Sequence, residues 1–480
     1  MTVRTQAVAD GRFLYNQVID HIVGLIEKGT LTVGEKAPSL RRLSKQLGVS
    51  ISTVAQAYVA LEQRGVLKVR PQSGFYVEAM PGGDPPMPRK APTSGKPRRV
   101  QMSQLFKDVF SSAHEPGSLP LATAVAGPQI IPVKAVARVT ARVASQRPEL
   151  SIDYANPAGE FELRRQIARS YMDLGLEVDP HNVIITAGAS EALAISLQQL
   201  ARPGDVVAVE TPTYYLVLRL IERMGLLALE IETDPETGID LQAMENALET
   251  MSIKAVLTIP NFSNPLGSLM PEDNKRRLVE LAKGYGIKII EDDVYGEIYF
   301  GQQRPGILRG YGGEGTVLTC SSYSKTLVPG YRIGWILTDQ PMRDAVLEWK
   351  QATTVASATL PQLATAEFLH GGEYARQVVR LRTAVRAQVE RMRFLVAKYF
   401  PEKTRVTNPK GGFVIWIELP RGNDSVDLFH RAMAQGIGLT PGILFSSTRR
   451  YRNFIRLNCG YPVTEAIEDG VRRLGAMIKG

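Results

Sequence analysis

The sequence predicts an α/β body with a mixed, mostly parallel sheet, preceded by an N-terminal winged helix-turn-helix. Three observations predict it. From about Ser111 onward, short apolar runs alternate with amphipathic helical stretches, the pattern of strands joined by crossover helices. Residues 14–77 carry three short helical periodicities and then two strand-like runs. Between the two units, residues 80–99 hold six prolines and three glycines, too many for a helix or a central strand. The expected division is 1–78, a Pro-rich basic linker 79–114, and a body 115–480.

Each element of the N-terminal unit has a local reason. Leu14, Val18, Ile22, Leu25 and Ile26 recur at helical spacing, and the pattern stops at Gly29. Ser39 is a good N-cap for a second helix with Leu40, Leu43 and Leu47 on one face and Gly48 at its end. Ser50 can cap a third helix that turns Val54, Ala57, Tyr58 and Leu61 inward and stops at Gly65. Two helices joined by so short a Gly-containing turn form a helix-turn-helix. Residues 66–70 and 75–77 then read as a hairpin around Pro71-Gln72-Ser73-Gly74, the wing. The third helix leaves Ser52, Thr53 and Gln56 on its outer face. These are short donors and acceptors suited to a major groove. Arg41, Arg42, Lys45, Lys68 and Arg70 are available to phosphates, which position a protein without specifying sequence.

Charge agrees with that division. Of a formal net charge of +9, residues 1–78 contribute ten Lys/Arg against six Asp/Glu, and 79–115 six against three. The excess sits in the first quarter, as for a polyanion-binding module tied to a nearly neutral body. No run approaches the roughly 18 apolar residues of a membrane helix, and Met1–Gln6 lack the apolar run of a secretory signal. Two cysteines make no disulfide framework, so a reducing cytoplasm is the expected compartment. The five histidines lack ligand spacing, so no metal site is expected.

In the body, strands are expected at 183–186, 206–209, 255–259, 287–291, 317–319 and 334–337. Ligands of parallel sheets sit beyond the carboxyl ends of strands, and each candidate motif falls there. Gly188-Ala189-Ser190 opens a helix whose backbone amides suit an anion. Tyr214 follows the second strand and can lay a ring over a flat ligand. Asn264, in Asn264-Pro265-Leu266-Gly267, offers an amide, although Asn-Pro-x-Gly is also a generic turn. Asp292 and Tyr295 place a carboxylate and a phenol three residues apart, able to hold a pyridine nitrogen protonated and to bind a ring oxygen. Lys325 stands in Ser322-Tyr323-Ser324-Lys325-Thr326-Leu327-Val328-Pro329-Gly330-Tyr331-Arg332. Its amine can form a Schiff base, and Ser322, Ser324 and Arg332 can take phosphate oxygens.

The N-terminal unit resembles the winged helix of GntR-family regulators through Pro38-Ser39, Arg41, Leu43, Gly48-Val49-Ser50, Thr53-Val54, Ala57-Tyr58, Leu61, Gly65 and Ser73-Gly74. The resemblance implies contacts with double-stranded DNA from Arg41, from Ser50, Ser52, Thr53 and Gln56, and from the wing tip Ser73 and Gly74. Ile51 departs from the arginine many members carry early in this helix.

The ordered motifs of residues 115–480 resemble fold-type I pyridoxal-phosphate enzymes of the aminotransferase class I/II family, with a smaller α+β subdomain. That resemblance implies pyridoxal 5'-phosphate bonded to Lys325. Asp292 would partner the pyridinium, Asn264 and Tyr295 the ring hydroxyl, and Tyr214 would stack on the ring. Gly188, Ala189, Ser190, Ser322, Ser324 and Arg332 would hold phosphate. Arg456 would clamp an amino acid carboxylate, and Tyr154 would reach the phosphate of a partner subunit, which implies a homodimer. Leu266 replaces the usual threonine, and Ala189 removes one side-chain donor.

Together the halves resemble the MocR subfamily of bacterial regulators. The implied function is a cytoplasmic DNA-binding regulator. It would sense a small amino compound, or pyridoxal phosphate itself, when the Lys325–cofactor bond is exchanged for a cofactor–ligand bond. The alternative is an aminotransferase with secondary DNA binding.

Overall fold

Helix Leu14–Glu27 opens a small three-helix unit closed by Leu40–Leu47 and Ile51–Gln63. The computed structural model describes residues 14–63, 65–78, 85–102, 104–112, 115 and 117–479. Residues 1–13 and 79–84, the first part of the expected linker, lie outside the described residues. The helices enclose a core of Val18, Ile19, Ile22, Leu43, Val54, Ala57, Tyr58 and Leu61. Of the residues read at helical spacing, Leu14 is 44% exposed, and Ile19 joins Val18 and Ile22 in the core. Strands Leu67–Arg70 and Gly74–Val77 pair antiparallel as the wing.

The body has two lobes. The large lobe is built on one mixed sheet, in which strands Leu227–Asp234, Val206–Thr211, Ile253–Thr258, Lys288–Asp292 and Val317–Ser322 run parallel. Ile333–Leu337 pairs antiparallel with Val317–Ser322, and Val183–Ala187 pairs antiparallel with Ile333–Leu337, restoring the common direction at that end. All six expected strands appear, their ends differing by at most three residues. Leu227–Asp234 was not anticipated. Its alternating Glu230, Glu232 and Asp234 hide the apolar run that marks a buried parallel strand. Apolar clusters cover both faces of the sheet.

The small lobe is an antiparallel sheet in the order Arg405–Val406, Val414–Glu418, Phe454–Asn458, Thr440–Pro441. Helices Glu373–Tyr399, Ser425–Met433 and Glu465–Lys479 pack on it. This is the expected smaller α+β subdomain.

The Pro-rich segment differs from a free tether. From residue 86 it is laid across both lobes. The Pro86 and Met87 carbonyls accept from Val406 N (2.9 Å) and Arg405 Nη1 (3.0 Å), and Arg89 N donates to Glu418 Oε2 at 3.1 Å. Those partners belong to the small lobe. Lys90 then pairs with Asp240 and Glu232, and Arg98–Arg99 adds an edge strand beside Leu227 and Ala228. Met102 N donates to Glu222 Oε1 at 3.1 Å. Proline lacks one donor but keeps its carbonyl, so such a segment can still dock at an edge.

Candidate cofactor and DNA-contact sites

Lys325 lies in the turn after Val317–Ser322, a turn closed by pairing of Ser322 with Gly334. Its Nζ donates to the Ala124 carbonyl at 2.6 Å and stands 5.7 Å from the centre of the Tyr295 ring. Burial, then the charges of Arg456 and Arg332, push the amine down to about 8, against the pull of Asp292. Such an amine is deprotonated far more often than a surface lysine at neutral pH, and so is a better nucleophile. Asp292 ends its strand nearly buried, and burial pushes its carboxyl up to about 7 while Lys325 holds it down.

The anion-binding features meet at one edge of this cleft. Gly188 precedes helix Ala189–Leu200 with φ +84°. A Cβ there would lie 2.3 Å from Arg332 Nη2. Arg332 is thereby brought against the turn, donating to the Ala187 carbonyl at 2.9 Å and to Ser324 Oγ at 3.4 Å. Ser324 N donates to Ser322 Oγ at 3.4 Å, and Ser190 is exposed at the helix start. A guanidinium, hydroxyls and a helix N-terminus without an intervening side chain suit a phosphate.

Opposite stands the small lobe's Arg456, fully buried. It donates to Asn264 Oδ1 at 3.2 Å, to Thr440 Oγ1 at 2.9 Å and to the Ala122 carbonyl. Its Nε is buried and meets no hydrogen-bond partner among the described residues. Asn264 also hydrogen-bonds Tyr295, whose phenol is held above its usual range by burial. Tyr214 begins helix Tyr215–Arg223. Burial raises its phenol, and the charges of Tyr295, Arg456 and Asp292 act on it too.

Lys325, Asp292, Tyr295, Asn264, Tyr214 and Arg456 thus share one cleft, with Gly188, Ala189, Ser190, Ser322, Ser324 and Arg332 along its edge. This arrangement fits a flat ring bearing an aldehyde and an anionic tail. Tyr154 stands apart, 84% exposed. The carbonyls of Ala122 and Ala124, which occupy Arg456 and Lys325, were not anticipated. A backbone acceptor leaves no mark in residue identity.

In the winged helix, Arg41, Ser52 and Gln56 are exposed and Thr53 is half-buried. Ser50 Oγ accepts from Thr53 N at 3.0 Å and bonds the Ser52 and Thr53 hydroxyls, so it caps the recognition helix. At the wing, Ser73 Oγ bonds Tyr76 Oη at 2.6 Å, and Arg70 lies 4.1 Å from the Tyr76 ring centre. Gly74 turns the hairpin with φ +108°.

Two family descriptions match the chain. "Bacterial regulatory proteins, gntR family" covers residues 14–77, and "Aminotransferase class I and II" covers 125–474. The chain belongs to the aminotransferase class I and II family and carries a gntR-family unit. It is therefore a GntR-type regulator fused to an aminotransferase-like domain, the MocR arrangement. This MocR-type chain is 35% identical to the HTH-type transcriptional regulator YjiR of Escherichia coli (strain K12), over 97% of its own length and 98% of that protein. It is 30% identical to a 2-aminoadipate transaminase of Thermus thermophilus, over 80% of this chain and 95% of that one. Among solved structures it is similar to LysN, an α-aminoadipate aminotransferase also from Thermus thermophilus, complexed with N-(5'-phosphopyridoxyl)-L-leucine. The TM-score is 0.73 at 29% identity, covering 80% of this chain and 96% of that one. Among the described residues, no helix is long and apolar enough to cross a membrane.

Proposed function

We propose that the 115–480 body of this regulator binds pyridoxal 5'-phosphate at Lys325 and a small amino compound beside it, and so sets how the 1–78 unit meets double-stranded DNA. The observation that carries the reading is one cleft holding a lysine pushed down to about 8, a buried carboxylate and an arginine-lined anion turn. Bound there, the cofactor supplies an aldehyde able to exchange one amine for another.

The chain's own residues do the rest. Arg332, Ser322, Ser324 and the amides of Gly188, Ala189 and Ser190 hold the phosphate. Asp292 keeps the ring nitrogen charged, Asn264 and Tyr295 bond the ring oxygen, and Tyr214 covers the ring. Lys325 would hold the cofactor's aldehyde carbon and, once free of it, could take or give a proton beside the ligand. Arg456 takes the ligand's carboxylate in place of the Ala122 carbonyl. Tyr154, exposed on this chain, completes the site of a second copy in a cytoplasmic homodimer. Arg41, Ser52 and Gln56 contact DNA, joined by Thr53, Ser73 and Gly74. Ser50 helps by capping the helix that carries Ser52, Thr53 and Gln56.

Borohydride reduction of the purified protein, followed by peptide mass measurement, tests this reading. The peptide with Lys325 is expected to gain the mass of the reduced vitamer, and Lys325→Ala to lose it. An unlabelled wild-type Lys325 peptide overturns the proposal. The 30% identity to a transaminase over most of the body favours a second reading, slow transamination. Sustained keto acid production from an amino acid would support it. A shift in operator binding with the vitamer alone would instead make the cofactor itself the signal.

A further inference from the structure

Gly65 ends the recognition helix with φ +75° and is buried, although it lies at the edge of a small unit. What buries it is the small lobe. A Cβ at Gly65 would fall 1.8 Å from Arg391 Nη1 and 3.0 Å from Phe394 Cε1. The recognition helix Ile51–Gln63 packs here against the long helix Glu373–Tyr399. Arg391 is held in place. Its Nη2 donates to Glu468 Oε2 at 2.7 Å, and its guanidinium lies 5.1 Å from the Phe394 ring centre. Glu468 is fixed in turn by Tyr399 Oη at 2.9 Å. A guanidinium at the C-terminal end of a helix faces unsatisfied carbonyls and the negative end of the dipole. The contact therefore has a charge logic as well as a shape. It leaves the opposite end of the recognition helix, with Ser52 and Gln56, exposed.

The linker reaches the same lobe first. Pro86, Met87 and Arg89 bond Val406, Arg405 and Glu418 before the chain crosses to the large lobe at Lys90. Both attachments of the winged helix to the body therefore begin on the small lobe.

We infer that the small lobe carries a docking seat for this chain's own winged helix, formed by Arg391, Phe394 and Glu468 and filled by Gly65, so that the DNA-reading unit moves with that lobe. The consequence rests on the reading proposed above. Lys325 belongs to the large lobe and Arg456 to the small one, so a ligand gripping both favours one angle between lobes. The winged helix follows that angle. A ligand shifts such an equilibrium only as far as it binds one arrangement better than the other.

Hydrogen exchange on the full chain tests the seat. Arg391→Glu places like charge against the helix end and against Glu468. Exchange of residues 61–66 and 389–398 is expected to rise about tenfold, with a smaller rise for Arg391→Lys. Exchange within Leu14–Glu27 is expected to stay unchanged, which separates undocking from unfolding. Unchanged exchange in 61–66 overturns the seat.

A second measurement needs no variant. An amine-reactive cross-linker is applied to a mixture of isotopically light and heavy chains. It is expected to join Lys68 to Lys398 within one isotope. Isotope-mixed products, or none, overturn a seat within the chain. Borohydride labelling of Lys325 should survive Arg391→Glu. Unchanged exchange in Arg391→Glu with labelling intact sinks the seat alone, whereas raised exchange in that variant beside an unlabelled wild-type Lys325 peptide sinks the cofactor reading alone.

Discussion

The two binding surfaces of this chain are built in opposite ways. In the body, the chemical groups are buried and shifted, with Lys325 pushed down to about 8 and Asp292 up to about 7. In the winged helix, Arg41, Ser52 and Gln56 are exposed on a fold whose core, Leu43, Val54, Tyr58 and Leu61, does not need them. Burying a charge is unfavourable unless the site uses or compensates it. Residue identity in the cleft is therefore informative. An exposed serine carries no such penalty, and its identity says little about what it touches.

The largest effect expected to separate the regions comes from one substitution made in each. Gly48 and Gly188 both hold positive φ, at 66° and 84°. Nothing lies within 4 Å of a Cβ at Gly48, whereas at Gly188 it meets Arg332. An L-residue in this backbone region is strained by about 1–2 kcal/mol. Gly48→Ala should show that strain alone. Gly188→Ala should add displacement of Arg332 from Ala187 and Ser324, for a total of about 2–3 kcal/mol. It should also weaken pyridoxal phosphate binding about tenfold or more. Chemical denaturation of both variants with a cofactor titration checks this, and equal losses would break the contrast.

A smaller effect has the opposite sign. Without cofactor, Lys325→Met is expected to stabilise the body by about 1–2 kcal/mol at pH 6, since it removes a charge that burial disfavours. The folded lysine titrates near 8 against an ordinary 10.5, so between those values the folded state binds fewer protons than the unfolded one. Wild-type stability therefore rises with pH across that window, and the advantage of methionine should vanish by its upper end. A gain that persisted at pH 10.5 would mean that packing, not charge, is responsible.

These contrasts explain what could be read from the sequence. Order and spacing of the cleft motifs were visible because each lies just after an apolar strand, where a parallel sheet presents ligands. Leu227–Asp234 was missed because Glu230, Glu232 and Asp234 break its apolar run, and Glu230 finds its partners more than 200 residues later, at Ser446 and Ser447. The Ala122 and Ala124 carbonyls left no signal at all. The docked course of residues 86–102 was hidden because a proline-rich segment reads the same in sequence whether it is laid on a surface or free. Gly65 was legible as a helix stop, but its second role, admitting Arg391, depends on a residue 326 positions away.

The smallest effect tests the exposed surface. Ser50 was expected both to cap the recognition helix and to contact DNA. Its Oγ accepts from Thr53 N and bonds two neighbouring hydroxyls. Ser50→Ala should therefore lower winged-helix stability by about 0.5–1 kcal/mol, as loss of an N-cap does, and weaken binding to all DNA sequences alike. Ser52→Ala and Gln56→Ala have no cap to lose. They should leave stability within about 0.5 kcal/mol and relax preference at individual base pairs, which competition binding with single-base operator variants would read. If Ser50→Ala instead changed base preference at unchanged stability, the serine would be a reader, and the exposed surface would be as legible from residue identity as the buried cleft.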